Sequence, residues 1–289
     1  MKFIIVYDQR SGSTLLSKLI TEKFIASVLP ESNFIMNIIK YSSNENILYQ
    51  RLISEKKFKN FRINKKKLRK IVNLNFLNKQ KLIDILVKEA NKNIYKKDII
   101  TIGTKLNQID YLDKLSSLYK QKLKIIFIIR DVRDIFLSKK KIHNENVTRG
   151  YKFSSSIIYN SYYWLKIITA MDKRKNMLTI RYEDLIEKKS EILKVKKFLN
   201  IKERKRKIKF FLPKQDFSIH PNLVKKINFR NKKKYEKNLN YFEKIFFEVC
   251  CHSMLYKYNF SKKNYVFFLI STIFLILVRM KIFFNTNKY

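Results

Sequence analysis

Tyr7-Asp8-Gln9-Arg10-Ser11-Gly12-Ser13-Thr14-Leu15-Leu16 is the stretch that decides the fold, because it joins two kinds of hydrophobic pattern. Before it, Phe3-Ile4-Ile5-Val6-Tyr7 is a short, β-branched apolar run of the sort that forms a buried strand. After it, Leu15, Leu16, Leu19 and Ile20 recur at helical spacing, which predicts a helix from Thr14 to Leu29 ended by Pro30. The N-terminus of such a helix offers free N–H groups and a partial positive charge. Gly12 lets the backbone approach a ligand, Ser13 and Thr14 add hydroxyls, and Arg10 adds a rigid fork. Together these make a cradle for phosphate or sulfate. The same residues also suit an ordinary Ser/Thr cap with a structural glycine. The loop is not a Walker A loop, which ends in Gly-Lys-Ser/Thr.

The alternation continues outward. Residues 42–97 are Lys/Asn-rich and mostly helical in period; Asp98–Ile102 reads as a strand ending at Gly103. Asp110–Gln121 is an amphipathic helix, Lys124–Ile129 a fully apolar strand and Asp131–Ile142 a helix. Ser154–Lys175 is a long aromatic helix holding the only tryptophan, Trp164; Met177–Ile180 is a strand and Glu183–Leu199 a helix. Strands alternating with helices predict an α/β fold of three layers, a central parallel sheet flanked by helices. Ligands of such sheets bind beyond the carboxyl ends of the strands. Neither a repeat nor a linker interrupts residues 1–262, so one domain is expected there.

A second turn repeats the logic of the first. Ile125 to Lys139 reads IIFIIRDVRDIFLSK, with Arg130 ending an apolar strand and Ser138 about two helical turns on. A strand-end guanidinium and a hydroxyl on the next helix suit a second, separate phosphate. Alternatively Arg130, Asp131, Arg133 and Asp134 form a surface ion network.

Taken together, the two turns resemble those of the sulfotransferases that use 3′-phosphoadenosine 5′-phosphosulfate (PAPS). That family binds the 5′-phosphosulfate with an Arg/Lys-Ser-Gly-Ser/Thr-Thr loop, matched here by Arg10, Ser11, Gly12, Ser13 and Thr14. It binds the 3′-phosphate with Arg-Asp-Pro-Arg-Asp and a following Ser, matched by Arg130 and Ser138, with Val132 in place of the usual Pro. Ile102-Gly103-Thr104-Lys105 is similar to its Gly-x-Lys segment. Arg181-Tyr182-Glu183-Asp184-Leu185, followed by Phe198-Leu199, is similar to its Arg-Tyr-Glu-Asp-Leu to Phe-Leu stretch. His220–Ile227 and the helix ending at Tyr258 resemble its C-terminal portion. Residues 42–97 match least, as an acceptor-side helical insertion would.

The resemblance implies a P-loop-like sulfotransferase architecture, PAPS as sulfuryl donor, and a hydroxyl or amine of a glycan, lipid or other small molecule as acceptor. It implies Arg10, Glu31 and Lys105 as catalytic residues. It also implies Arg10, Ser11, Gly12, Ser13, Thr14, Arg130, Ser138 and Tyr182 as the donor-binding set, with no metal. Sulfuryl transfer resembles phosphoryl transfer, with charge building on the leaving oxygen. Arginine keeps its proton, so Arg10 acts electrostatically. Glu31, twenty-one residues after Arg10, stands where tyrosylprotein-type members carry a catalytic Glu, or else is an exposed cap of the next helix. Asn107 stands where cytosolic members carry a His two residues after the mid-chain Lys. Lys105 is an auxiliary cation or a plain surface lysine.

Composition bounds the alternatives. The 289 residues hold 64 Lys+Arg against 23 Asp+Glu, a net charge of +41, with 46% hydrophobic content that excludes a disordered chain. Only three Gly, three Pro and three Ala occur, and 51 of the basic residues are Lys, the pattern of drift in an AT-rich genome. The charge is therefore poor support for a nucleic-acid partner, and none is expected. Where glycine is this scarce, Gly12, Gly103 and Gly150 mark places that need it. Cys250 and Cys251 are adjacent, without metal or redox spacing, which fits a reducing cytoplasm. Tyr265–Val278 carries no charge and lies between Lys262-Lys263 and Arg279/Lys281. Residues 263–289 are accordingly expected to form a helix packed on the domain or held at a membrane through residues 265–284. The rival readings are a P-loop nucleotide kinase or NTPase and a basic protein of membrane or nucleic-acid surfaces.

Overall fold

The computed structural model describes residues 1–96, 99, 101–144, 154–172, 174–206, 208–217 and 232–286. Five parallel strands form one sheet: β1 (Phe3–Tyr7), β2 (Ala26–Val28), β3 (Thr101–Leu106), β4 (Lys124–Ile129) and β5 (Met177–Arg181), in the order β2-β3-β1-β4-β5. Ile5 of β1 lies beside Lys105 of β3 and Ile126 of β4, so the central strand is bordered on both edges. Its residues are all buried and divide by parity. Phe3, Ile5 and Tyr7 pack with Ile126, Ile128 and Ile180 under α1 (Ser13–Lys23), α9 (Tyr182–Glu187) and α10 (Glu191–Leu199). Ile4 and Val6 pack with Ile125, Phe127 and Ile129 into the larger core on the opposite face. That face carries α2 (Phe34–Tyr41), α3 (Glu45–Ser54), α4 (Lys65–Asn75), α5 (Lys79–Tyr95), α6 (Leu112–Leu118), α7 (Val132–Asn144) and α8 (Ile157–Asp172). The result is the expected three-layer α/β sandwich.

The Lys/Asn-rich stretch is helical because its asparagines cap. Asn44, Asn64 and Asn78 accept from the backbone N–H of Ile47, Lys66 and Lys81 and so start α3, α4 and α5. Their apolar faces (Leu48, Leu52, Leu68, Val72, Leu82, Leu86) are buried in the larger core.

Three local expectations need correction. The first helix stops at Lys23, not Leu29, and Ala26–Val28 forms the edge strand β2. There Val28 N–H donates to Thr21 Oγ1 at 3.1 Å, and Tyr95 donates to the Val28 carbonyl at 3.1 Å, so β pairing overrides the helical spacing. The third strand does not end at Gly103 but runs on to Leu106. Gly103 is required because the Phe3 ring of the neighbouring strand fills the space of a side chain, 2.3 Å from where a Cβ would stand. The Glu183–Leu199 helix is broken at Lys188, which is extended, and this lets Leu185 and Ile192 both reach the same sheet face. Gly150, His220–Ile227 and Asp98 lie outside the described residues.

At the C-terminus, the Tyr241–Lys257 helix starts with a capping box formed by Asn240 and Glu243, and Tyr258 is its C-cap. The Tyr265–Thr286 helix packs on it: Ser271 Oγ accepts from Ser253 N–H at 2.8 Å, and Leu275 and Val278 are buried. Tyr265, Val266, Leu269, Ile273 and Leu277 face outward. Among the described residues no helix is long and apolar enough to cross a membrane. Cys250 and Cys251 are buried free thiols.

Candidate active site

The sheet delivers Arg10, Lys105, Arg130 and Tyr182 to its carboxyl edge, where strand ends meet helix starts. The first turn is tight: Ser11 N–H donates to the Asp8 carbonyl at 3.1 Å, and Arg10 has a left-handed backbone at φ 74°. Such a conformation in a non-glycine residue costs on the order of 1 kcal/mol and needs local support. Arg130 supplies it, donating from Nη1 to the Arg10 carbonyl at 3.0 Å. Gly12 follows at φ 95° and caps α1, whose first turn has neither a side-chain cap nor an acidic residue. A Cβ there would lie 2.3 Å from the Tyr182 ring, so the loop needs glycine for conformation and for space. Ser11 Oγ is buried and has no hydrogen-bond partner among the described residues.

The second turn closes on the first. Arg130 stacks on Tyr182, its guanidinium carbon 4.4 Å from the ring centroid, and its carbonyl accepts from Trp164 Nε1 at 3.0 Å. Arg10 Nε donates to Ser138 Oγ at 3.0 Å. The structure therefore brings Arg10, Ser11, Gly12, Ser13, Arg130, Ser138 and Tyr182 into one cluster. Burial and then the nearby Arg130 charge lower the Arg10 guanidinium to about 10, which leaves it protonated at neutral pH. Among the described residues no carboxylate pairs with Arg10; Asp134 lies 3.8 Å from Arg130.

The other acidic and basic residues of the second turn are structural, and they form a buried network rather than a surface one. Arg133 grips Asp131 through Nε at 2.9 Å and Nη2 at 2.6 Å, and also pairs with Glu248 of the Tyr241–Lys257 helix. Asp134 accepts from the backbone N–H of Lys233 and Tyr235 at 2.8 and 3.0 Å. Val132 is the first residue of α7, a position where a free N–H is ordinary and Pro and Val are both accommodated. Glu183 accepts from Asp131 N–H at 3.2 Å, and burial pushes its carboxyl up to about 7.

A second cluster adjoins the cradle. Lys105 is buried in β3, its ammonium 5.9 Å from the Tyr7 ring centroid. Glu31, after β2, pairs with Lys57 at 2.6 Å. It is not the cap of α2: Glu55 takes that role, accepting from Asn33 N–H at 2.6 Å and Ser32 Oγ at 3.0 Å. Burial alone would raise the Glu31 carboxyl, but Lys57, Lys105 and a hydrogen bond from Tyr7 outweigh it and hold it below the usual carboxylate range. Burial likewise depresses the Lys105 ammonium, with Glu31 opposing. Lys57 and Tyr7 escape sequence reasoning, because nothing separates Lys57 from dozens of other lysines and Tyr7 reads as strand core. Of the histidines, His252 is held between Glu248 and Asn264 N–H, away from this edge, and His143 is exposed on α7. Among the described residues no group of three or more His, Cys, Asp or Glu side chains converges as a metal site.

The family model described as "Sulfotransferase family" matches residues 3–202. Among solved structures, the sulfotransferase domain from the Synechococcus PCC 7002 olefin synthase superposes with a TM-score of 0.55 and 12% identity, covering 91% of this chain and 96% of its own. The sulfotransferase domain from the curacin biosynthetic pathway does so with a TM-score of 0.52 and 14% identity, covering 91% and 99%. At these identities the likeness concerns the fold. A search of curated proteins returns no match.

Proposed function

The chain belongs to the sulfotransferase family, and from that premise we propose that it moves a sulfuryl group from PAPS to a hydroxyl or amine of a glycan, lipid or other small acceptor. The observation that carries the donor assignment is the pair of guanidiniums, Arg10 and Arg130, set at the open N-terminus of α1 with no carboxylate on Arg10 among the described residues. Like charges held together in a buried place fit a ligand with more than one anionic group. In this reading Arg10, the Ser11 and Thr14 hydroxyls and the N–H groups of Gly12 and Ser13 hold the 5′-phosphosulfate. Arg130 and Ser138 hold the 3′-phosphate. Tyr182 serves the donor by packing on Gly12 and beneath Arg130.

In the transfer, an acceptor hydroxyl oxygen forms a bond to sulfur while the bond from sulfur to the bridging phosphate oxygen breaks. The electron pair stays on the phosphate of adenosine 3′,5′-bisphosphate, and the hydroxyl proton passes to Glu31. Arg10 and Lys105 stabilise the charge that builds at the leaving oxygen. Glu31 is a carboxylate at neutral pH and so can accept a proton, and Lys57 anchors it from the helical segment 42–97, which this reading puts on the acceptor side.

A thermal-shift titration tests the donor. Adenosine 3′,5′-bisphosphate should raise Tm with concentration by linkage, while 5′-AMP should do much less. Stabilisation by Mg-ATP but not by the bisphosphate would favour a nucleotide kinase or NTPase instead. The outward apolar face of the Tyr265–Thr286 helix, with Lys262 and Lys263 before it, supports attachment of this domain to a membrane surface on the cytoplasmic side. Flotation with anionic vesicles, lost on Leu269→Lys/Ile273→Lys substitution, checks that placement.

A further inference from the structure

A cavity of about 210 Å³ opens beside the first turn, lined by Gln9, Lys139, Ser154, Tyr159, Asn160 and Tyr163. Three of these residues tie it to the reacting centre. Gln9 precedes Arg10 in the chain, and Lys139 follows Ser138, which bonds Arg10. Tyr163 donates to the Asn107 carbonyl at 2.5 Å, two residues beyond Lys105.

The chemistry of the lining is unusual for so small a space. Among the described residues, all six lining side chains carry a hydrogen-bonding group and none is aliphatic. Tyr159 and Tyr163 stack in parallel at 5.8 Å, offering a flat aromatic platform, and Tyr159 is half-exposed. Lys139 is buried, and its ammonium has three protons. One goes to Asp8 Oδ1 at 2.8 Å and one to Asn160 Oδ1 at 3.0 Å, and the ammonium also lies 6.0 Å from the centroid of the Tyr163 ring that lines the cavity. Asn160 is itself locked by donation to the carbonyls of Ser154 and Ser156, so this donor is held in place. Asp8 balances the lysine charge, so the lining is neutral among the described residues. A cavity below the roughly 300 Å³ of drug-sized sites takes one ring, not a lipid chain or a steroid. A neutral polar wall with an aromatic floor fits a ring bearing several hydroxyls better than a phenol, an aliphatic alcohol or a carboxylate.

We propose that this cavity seats a neutral saccharide ring, which presents one hydroxyl to the centre formed by Arg10, Lys105 and Glu31. This rests on the sulfuryl-transfer reading above and names the acceptor class of that site. Tyr159 is the platform, and Gln9 and Lys139 hydrogen-bond the ring hydroxyls. A site built around such donors discriminates strongly against analogues that lack the hydroxyls, because its polar groups are then left unpaired.

The test uses the full chain with labelled PAPS and four acceptors: methyl β-D-glucopyranoside, methyl β-D-galactopyranoside, 4-nitrophenol and decanol. Turnover with a methyl hexoside is expected, with Tyr159→Ala and Gln9→Ala each raising its KM about tenfold and leaving the Kd for adenosine 3′,5′-bisphosphate unchanged within twofold. Tyr159 is half-exposed, so its truncation should not unfold the domain. Transfer to 4-nitrophenol or decanol with none to either hexoside would overturn the proposal, as would a hexoside KM indifferent to Tyr159→Ala. Saturation-transfer NMR with the hexosides reads the cavity apart from catalysis. Tyr159-dependent hexoside contact without bisphosphate binding would mean that the donor reading fails and the saccharide seat stands. Bisphosphate binding without that contact would mean the reverse.

Discussion

Two groups of cations sit on the same edge of the sheet and are treated in opposite ways. In the cradle, Arg10 lies beside Arg130 with no carboxylate on it among the described residues and rests on Ser138 Oγ, while Arg130 donates to the Arg10 carbonyl, stacks on Tyr182 and has Asp134 at 3.8 Å. Beside it, Lys57 and Lys105 share Glu31, and Lys139 is matched by Asp8. A buried cation without a counter-charge is costly unless a ligand supplies one, whereas a paired cation holds geometry or tunes a neighbour's proton affinity. The contrast separates residues that bind an anion from residues that prepare an acceptor.

The largest effect should come from the cradle. Arg10→Ala should lower sulfuryl turnover about 10²–10³-fold, as loss of a donor aimed at developing charge does. Far-UV circular dichroism should be unchanged, and Tm should not fall, because the substitution removes a like-charge neighbour of Arg130. Retained turnover with labelled PAPS would erase the distinction between the two groups. Glu31→Gln should cost about 10²-fold, at the lower end of the general-base range. Its Kd for adenosine 3′,5′-bisphosphate should hold, since Glu31 belongs to the paired group. Parallel loss of nucleotide binding would mean that the two clusters act as one.

Arg130→Ala comes next. A charged hydrogen bond is worth about 1.5–3 kcal/mol, or roughly 10–150-fold. The loss should fall on adenosine 3′,5′-bisphosphate and spare 5′-AMP, as read by calorimetric titration. Because Arg130 also holds the left-handed Arg10 backbone, some general weakening is expected, but equal loss for both ligands would reduce Arg130 to a scaffold residue.

What the sequence made legible was the continuously apolar and the glycine-bearing. The apolar runs Phe3–Tyr7 and Lys124–Ile129 and the turn at Gly12 all predict their observed places, because a strand buried on both faces and a positive φ leave a mark on residue choice. Short and long-range features left none. The strand Ala26–Val28 is three residues long and owes its conformation to pairing with Thr101–Gly103. Gly103 signals a close approach, but the ring that approaches is Phe3, about a hundred residues earlier. Lys57 reaches Glu31 from another segment, and in a chain this rich in lysine no local pattern marks it. The two stacked tyrosines of α8 lie in a stretch that reads only as a long aromatic helix, with nothing local to single out the pair.

The smallest predicted effect is also the one that tests pairing most directly. Glu31 is held below the usual carboxylate range by Lys57, Lys105 and Tyr7 acting against burial, while Glu55 on the neighbouring turn, capping Asn33, has its own carboxyl raised. A base kept ionised by a cation is available at low pH but weaker as a base. Lys57→Met removes the largest of the opposing influences, so the Glu31 carboxyl should rise and the acid limb of kcat/KM should move to higher pH. Turnover above that limb should change less than tenfold, because a stronger base offsets a less firmly anchored one. Lys57→Arg should restore the wild-type limb. If Lys57→Met lowers activity equally at every pH, Lys57 only positions the carboxylate, and the paired cluster would then differ from the cradle in geometry rather than in proton affinity.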